Sequence, residues 1–416
     1  MAKKTTNRRY SSKTKVKKPS AFFNALILAG VRAWLKRRVK FTVKRNVEKL
    51  EHPSIVLCNH GSFIDFAYLA LVLGKEKPHV VTTRQYFYEK KLGWLLRKLG
   101  CIPKSLFTTD LESVRNCLQV LKDDGVLVIF PEARLCTAGE FEDIQNGTMS
   151  FLHKMGQNAA IYTLKFAGDY LALPKWARQG NKRFIRRGSI VEAELSLLYE
   201  KGASGGVPLD EFSQNVINAL SHNEFEYLFA RSEVSYPQGN LAVGLENVLY
   251  RCPECDSQFA LTAEGNTLSC AHCGKSFTMD DRYEFINGRF ENLQKWYHWQ
   301  MEELRREIDA DPDWQLEDGV TLYHASLDGK TQLREAGKGR CVFNRAGLVY
   351  TGTDSGEQVT KTFPTSRLYR ILFGAGADFE LYDGEEIWYF VPKDTRTCVK
   401  WYMASSILHV LSVKSV

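Results

Sequence analysis

Between residues 54 and 220, short β-prone apolar runs alternate with longer stretches whose apolar residues recur at helical spacing. "SIVLC" (54–58) precedes "FIDFAYLALVLG", and "HVVTT" (79–83) precedes "KLGWLLRKLG", which ends at Gly100. "LESVRNCLQVLKDDG" is amphipathic and stops at Gly125; "VLVIF" (126–130) and "AAIYTLKF" (159–166) come next as strands. Alternation of this kind predicts an α/β domain built on a largely parallel sheet flanked by helices. The charged stretch "NKRFIRRGSIVEAELSLLYEKG" reads as an edge strand pair or ribbon, and a helix near 209–221 closes the domain. After residue 250 the pattern changes. A cysteine- and turn-rich segment (250–283) leads into a charged, Trp-containing helix (285–310). Short β runs from 319 and a last helical piece, "CVKWYMASSILHVL", predict a small β-rich barrel or sandwich with a C-terminal helix. The expected division is a basic tail (1–20), an α/β domain (21–232), a cysteine module (245–283) and a helix plus β-rich domain (284–416).

Charge adds a partner to this picture. Residues 1–50 hold sixteen Lys/Arg and one acid, Glu48, so that segment is +15 in a chain of net charge +8. The first eighteen residues have almost nothing to bury and read as a disordered tail. In "SAFFNALILAGVRAWLKRRVKF", Ser20 is a candidate N-cap, the first half is apolar, Trp34 marks the junction, and Arg32, Lys36, Arg37, Arg38 and Lys40 fill the end. That order suits a helix lying in the interface of an anionic membrane; the alternative is a helix packed on the α/β domain with a solvated basic end. The uncharged run Pro19–Val31 is thirteen residues long, short of the roughly 20 a spanning helix needs. Six scattered cysteines without framework spacing, and a start lacking the order of a signal peptide, predict a reducing cytoplasmic setting with peripheral attachment to the inner membrane face.

Ligands of open α/β sheets gather at the carboxyl ends of the strands. The predicted strands end in Asn59-His60, Thr82-Thr83-Arg84, Pro131-Glu132-Ala133-Arg134 and Thr163–Lys165. His60 with Asp65 has the composition of a general base and the carboxylate that fixes its tautomer. Ser62-x-x-Asp65 ahead of an apolar run is equally a capping box, so Asp65 can also be read as purely structural. Arg134 supplies a fork for phosphate with Glu132 beside it, or the two form a surface ion pair; Arg84 and Lys104 would add cations to the same crevice.

"NHGSFID" resembles the Asn-His-x4-Asp block of the lysophospholipid/glycerol-phosphate acyltransferases, and "FPEARL" resembles their Phe-Pro-Glu-Gly block, about 70 residues downstream. The resemblance covers roughly residues 35–220. It implies a glycerolipid acyltransferase-type sheet, His60 as base on the acceptor hydroxyl, Asp65 as its partner, and Glu132 with Arg134 on the acceptor phosphate. It also implies an acyl-CoA or acyl carrier protein thioester as donor, a lysophospholipid acceptor such as 1-acylglycerol-3-phosphate, and phosphatidic acid as product. The sequence departs from the family in three places: "GCIPKS" stands in for a Gly-x-Ile-Phe-Ile-x-Arg block, Ala133 for a glycine, and Tyr162 for a proline.

Cys252-x2-Cys255, fourteen residues, then Cys270-x2-Cys273 is the spacing of a zinc ribbon with a closed, structural Zn2+ site. His272, inside the second turn, is not expected to ligate. The β-rich region resembles PH/GRAM-like modules in element order alone. Three readings stay open: acylation of 1-acylglycerol-3-phosphate, acylation of another lysolipid or lyso-aminolipid hydroxyl, and a nucleic-acid-binding zinc-ribbon protein. The last leaves the His60/Glu132 pattern unused and the ribbon with few cations (Arg251, Lys275), so no nucleic acid is expected.

Overall fold

The structure, a computed structural model, describes residues 16–414 apart from 180–181, 184, 238, 327–332 and 385. Most of the predicted basic tail, residues 1–15, lies outside the described residues. Helix α1 (Ala21–Leu35) leads into β1 (Val39–Arg45). Ser20 takes the N-cap position without a side-chain cap bond; its N–H donates to the Lys98 carbonyl instead. Then come β2 (Ser54–Cys58), α2 (Asp65–Leu73), β3 (His79–Thr83), α3 (Lys90–Lys98), β4 (Ile102–Lys104), α4 (Leu111–Lys122), β5 (Val126–Ile129), α5 (Asn146–Gly156), β6 (Ala160–Ala167) and the short α6 (Asp169–Ala172). A two-stranded ribbon, β7 (Arg178–Gln179) and β8 (Lys182–Arg183), precedes β9 (Ser189–Tyr199), α7 (Leu209–Leu220) and α8 (Glu224–Phe229).

These strands form one seven-stranded sheet in the order β1-β9-β6-β2-β5-β3-β4. β2 lies parallel between β5 and β6, and β3 lies parallel between β5 and β4. All five β2 residues are buried, and they alternate between two cores. Ile55 and Leu57 pack with Leu127, Ile129 and Ile161 on one face; Val56 and Cys58 pack with Val128, Tyr162 and Leu164 on the other. An apolar run buried on both faces is what a central parallel strand requires. The expected edge ribbon divides in two. β7 and β8 make the ribbon, whereas β9 is an inner strand, antiparallel to β6 and parallel to β1, so the edge is β1.

Strands β10 (Leu261–Glu264), β11 (Thr267–Cys270) and β12 (Ser276–Thr278) form a small antiparallel sheet around the cysteines. Helix α9 (Leu293–Ala310) starts later than predicted, with the Asn292 side chain capping it through Lys295 N–H. The C-terminal region holds one seven-stranded antiparallel sheet, followed by a helix as expected. In chain order its strands are β13 (Leu316–Ala325), β14 (Leu333–Asn344), β15 (Gly347–Asp354), β16 (Glu357–Pro364), β17 (Leu372–Gly374), β18 (Asp378–Asp383) and β19 (Glu386–Pro392). β13 joins the meander β13–β16 to β19, and α10 (Cys398–Lys414) packs behind. No described helix is long and apolar enough to cross a membrane.

Candidate active site

β2 ends at Cys58, and the next residue sets the course of the chain beyond it. The Asn59 amide donates to the Phe166 carbonyl (2.9 Å) and accepts from the Phe166 N–H (2.7 Å), which bolts the end of β2 to β6. His60 therefore leaves the sheet in a set direction. Its N–H donates to Glu132 Oε1 (2.8 Å), its ring rests against Phe130 (4.4 Å between centroids), and its Nδ1 lies 2.8 Å from Asp65 Oδ2. The same Asp65 oxygen accepts the Ser62 N–H (3.0 Å). Ser62 and Asp65 do not form the capping box, because α2 has Ile64 as its N-cap with no side-chain cap bond; one Asp65 oxygen closes the Ser62–Asp65 turn ahead of the helix and holds the imidazole.

Burial pushes the His60 imidazole down to about 4, with Asp169 opposing and Lys175 assisting. Burial also pushes the Asp65 carboxyl up, and the Ser62 N–H works against that rise. The ring is neutral near pH 7, while its side chain keeps 26% of its exposure. A neutral imidazole with Nδ1 held by a carboxyl has Nε2 available to take a proton from a hydroxyl.

Glu132 and Arg134 do not form a bare phosphate fork. Glu132 is 1% exposed, and besides His60 N–H it accepts the Glu142 N–H on Oε2 (2.7 Å). It is a brace for the His60 loop. Arg134 faces Glu142 Oε2 (2.9 Å), Asp143 and the hydroxyl of Tyr402 (3.2 Å), the last carried by α10. Its guanidinium is already filled by acids and by the C-terminal region. Arg84 is likewise occupied, by Asp110 (2.9 Å), Glu112 (3.1 Å) and Ser105 (3.1 Å), where it closes the loop after β4. Lys104 donates to the Ser105 and Thr108 carbonyls. Asn59, Arg84, Lys104, Glu132 and Arg134 all lie at the carboxyl edge of the sheet, as expected for strand ends, but Arg84 and Lys104 end strands two and three places from β2, and each of the three cations has protein partners in this conformation. Ala133 has φ +59°, a backbone conformation that favours glycine.

Sequence reasoning missed the second ring of groups. Lys175 is 7% exposed, sits over the Phe373 ring (3.7 Å), and burial pulls it down to about 8. Asp169 and Glu224 lie behind Asp65, fully or nearly buried. No motif marks these three; their one signal was a charged residue within an apolar stretch, "DYLALPKW" for the first two. Beside His60, a cavity of about 10 Å3, at the threshold for one water, is lined by Glu132, Cys136, Glu140, Phe141, His222 and Glu224 among others. A wide cleft of about 620 Å3 shares Glu140, Phe141 and His222 with it.

The four ribbon cysteines bring their sulfurs within 4.8 Å of one another. Cys252 and Cys273 are 3.9 Å apart, and Cys255 and Cys270 are 3.8 Å apart. Sulfurs about 2.3 Å from a tetrahedral Zn2+ lie about 3.8 Å from each other, so the cluster fits that ion. Arg251, next to it, is held between Asp256 and Glu307 of α9.

Residues 38–166 match the model of the Acyltransferase family. No curated protein matches the chain. Among solved structures, the chain is similar to the 1-acyl-sn-glycerophosphate (LPA) acyltransferase PlsC from Thermotoga maritima, at 17% identity and TM-score 0.39, over 51% of this chain and 81% of that one.

Proposed function

We propose that this chain, which carries an acyltransferase domain across residues 38–166, transfers a fatty acyl group from an acyl-CoA or acyl carrier protein thioester to the free hydroxyl of a lysophospholipid. The acceptor proposed is 1-acylglycerol-3-phosphate, giving phosphatidic acid. The observation that carries the reading is the His60–Asp65 pair, 2.8 Å apart at the carboxyl end of the central strand, with the imidazole held neutral. In this mechanism Nε2 of His60 takes the acceptor's hydroxyl proton as the oxygen attacks the thioester carbonyl. The tetrahedral oxyanion collapses and expels the thiolate, which the proton on His60 then neutralises. Glu132 acts by fixing the His60 backbone. Arg134, Arg84 and Lys104 reach an acceptor phosphate only by exchanging their present partners, so their part in binding depends on movement of Glu142, Asp143 and Tyr402 in the case of Arg134.

Peripheral membrane attachment is part of the proposal. On α1, Phe22 and Leu26 are 71% and 59% exposed, and Phe23 packs edge-on against the half-exposed Trp94 of α3. Arg32, Lys36, Arg37 and Lys40 come after them in the chain. An exposed apolar face next to a basic run suits an anionic bilayer, where an insoluble acceptor is found. The proposed architecture is a basic segment, the acyltransferase domain, a structural zinc ribbon, and a helix with a β-rich module.

The test supplies purified protein with acyl-thioester and 1-acylglycerol-3-phosphate in anionic vesicles and identifies the ester. The wild type is expected to form phosphatidic acid. His60→Ala is expected to lose activity by at least about a thousandfold while still sedimenting with the vesicles. Turnover by His60→Ala at the wild-type rate would remove the imidazole from the chemistry.

A further inference from the structure

Asp65 has a second oxygen, Oδ1, which is buried and makes no hydrogen bond of full geometry, although the Gly61 N–H, like that of Ser62, acts on this carboxyl. Both oxygens of Asp169 are buried and likewise make no hydrogen bond of full geometry. These orphaned acceptors belong to one cluster: Asp169 lies between Asp65 and Glu224 in carboxyl-to-carboxyl contact with each. Glu224 also accepts the Gly168 N–H on both oxygens (3.0 and 2.9 Å) and has His222 Nε2 at 3.1 Å. No Lys or Arg pairs with Asp65, Asp169 or Glu224 among the described ion pairs. The other ionisable groups facing the cluster are the Tyr68 hydroxyl, the Cys58 and Cys136 thiols and, on the Glu224 side, the hydroxyls of Tyr170, Tyr227, Tyr236 and Tyr283, all neutral near pH 7.

Three acceptor-only carboxylates cannot be packed together in the interior: the like charges repel, and every unpaired buried oxygen costs the full desolvation of its charge. A proton between two carboxyls removes both penalties at once, since it turns an acceptor–acceptor contact into an O–H···O bond and cancels one charge. The backbone is shaped to keep this contact. A Cβ on Gly61 would stand 2.4 Å from Asp169 Oδ2, so only glycine leaves room for the Asp169 carboxyl beneath the His60 loop.

We propose that Asp169 is a positioning residue for His60: it stays protonated at working pH and donates a hydrogen bond to Asp65 Oδ1, which keeps Asp65 Oδ2 an acceptor aimed at the imidazole. This rests on the reading of His60 as the base. The role differs from that of a simple packing group. With the bond in place, Asp65 is locked in rotation and the Nδ1–H tautomer of His60 is fixed. Without it, the Asp65 carboxyl is free to turn or to take the proton itself, and the imidazole loses its orientation. Glu224, anchored by Gly168 N–H, holds Asp169 from the other side.

Two variants and one spectrum test this. Asp169→Asn keeps a donor of the same shape but has no titratable proton, so kcat is expected to stay within about threefold of wild type. Asp169→Ala leaves Asp65 Oδ1 unpaired, so kcat is expected to fall at least about tenfold with the acceptor KM nearly unchanged. The infrared difference spectrum of Asp169→Asn minus wild type, taken without substrate at pH 7, is expected to lose a protonated-carboxyl C=O band that shifts in D2O. Loss of carboxylate bands alone would overturn the proposal, and so would equal kcat values in the two variants. Because the spectrum needs no turnover, it decides the protonation even if His60→Ala proves active, and should Asp169→Ala fail to fold, Asp169→Asn still decides.

Discussion

His60 is useful as a base only while it is neutral, and its surroundings decide over what pH range that holds. Burial disfavours the imidazolium and moves the group from its ordinary 6.5 to about 4. The acid limb of kcat/KM is therefore expected below pH 6.5, and a limb at or above 6.5 in a pH–rate profile would show that solvent or the charge on Asp65 outweighs burial in the working enzyme. The same shift sets the sign for stability. Between about 4 and 6.5 the unfolded chain binds the proton more readily than the folded one, so this residue lowers stability as pH falls through that window. Initial rates after a brief pH jump separate the two effects. At this scale the sequence was informative about His60 and Asp65, which sit five residues apart in a recognisable block. It was uninformative about Asp169, whose meaning comes from Asp65, and about Glu224, whose anchor Gly168 is 56 positions away along the chain.

Elements were legible where their hydrophobic period was undisturbed. β2, β5 and β6, the buried strands, stood out as apolar runs, α4 as an amphipathic stretch, and α7 as the helix near 209–221. β1 was missed although Val39, Phe41 and Val43 alternate with polar residues, because its lysines continue the cationic end of α1 and mask the change of period. β4 was missed because it is three residues long and contains Pro103, which an edge strand tolerates. The loop between β2 and α2 shows how tightly an element boundary can be drawn. Gly61→Ala would place a methyl group against the Asp169 carboxyl. It is expected to destabilise the fold by about 1–3 kcal/mol, read from the denaturant midpoint, and to lower kcat with it. An unchanged midpoint would mean that Asp169 moves aside at little cost.

On the scale of the whole molecule, the parts are joined through polar contacts near the proposed site. Asp143 is clamped by Arg370 (2.7 and 2.8 Å), Thr83 meets the Tyr382 hydroxyl (2.9 Å), and Arg134 meets Tyr402. Arg134→Ala strips a buried guanidinium from Glu142 and Tyr402. A loss of about 3 kcal/mol, near the low end for a broken buried pair because Arg370 still covers Asp143, is expected in thermal or chemical unfolding. A residue serving only as a phosphate clamp would instead raise the acceptor KM and leave stability alone. The cysteine-rich segment touches both larger parts, with Tyr283 donating to the Leu171 carbonyl (3.0 Å) on one side and Phe277 against Trp296 of α9 (4.8 Å) and Lys400 of α10 on Gln258 (2.7 Å) on the other. Removing metal with a chelator is expected to lower the melting temperature and to make the segment around 250–283 protease-sensitive; restoration by Zn2+ checks the assignment.

The bond between Arg134 and Tyr402 spans 268 positions of chain. A ribosome adding roughly 5–20 residues per second needs tens of seconds to make that stretch. During that interval the nascent α/β domain has its imidazole and aspartate in hand while its buried arginine still awaits one of its companions, so closure around the site waits until residue 402 has been made.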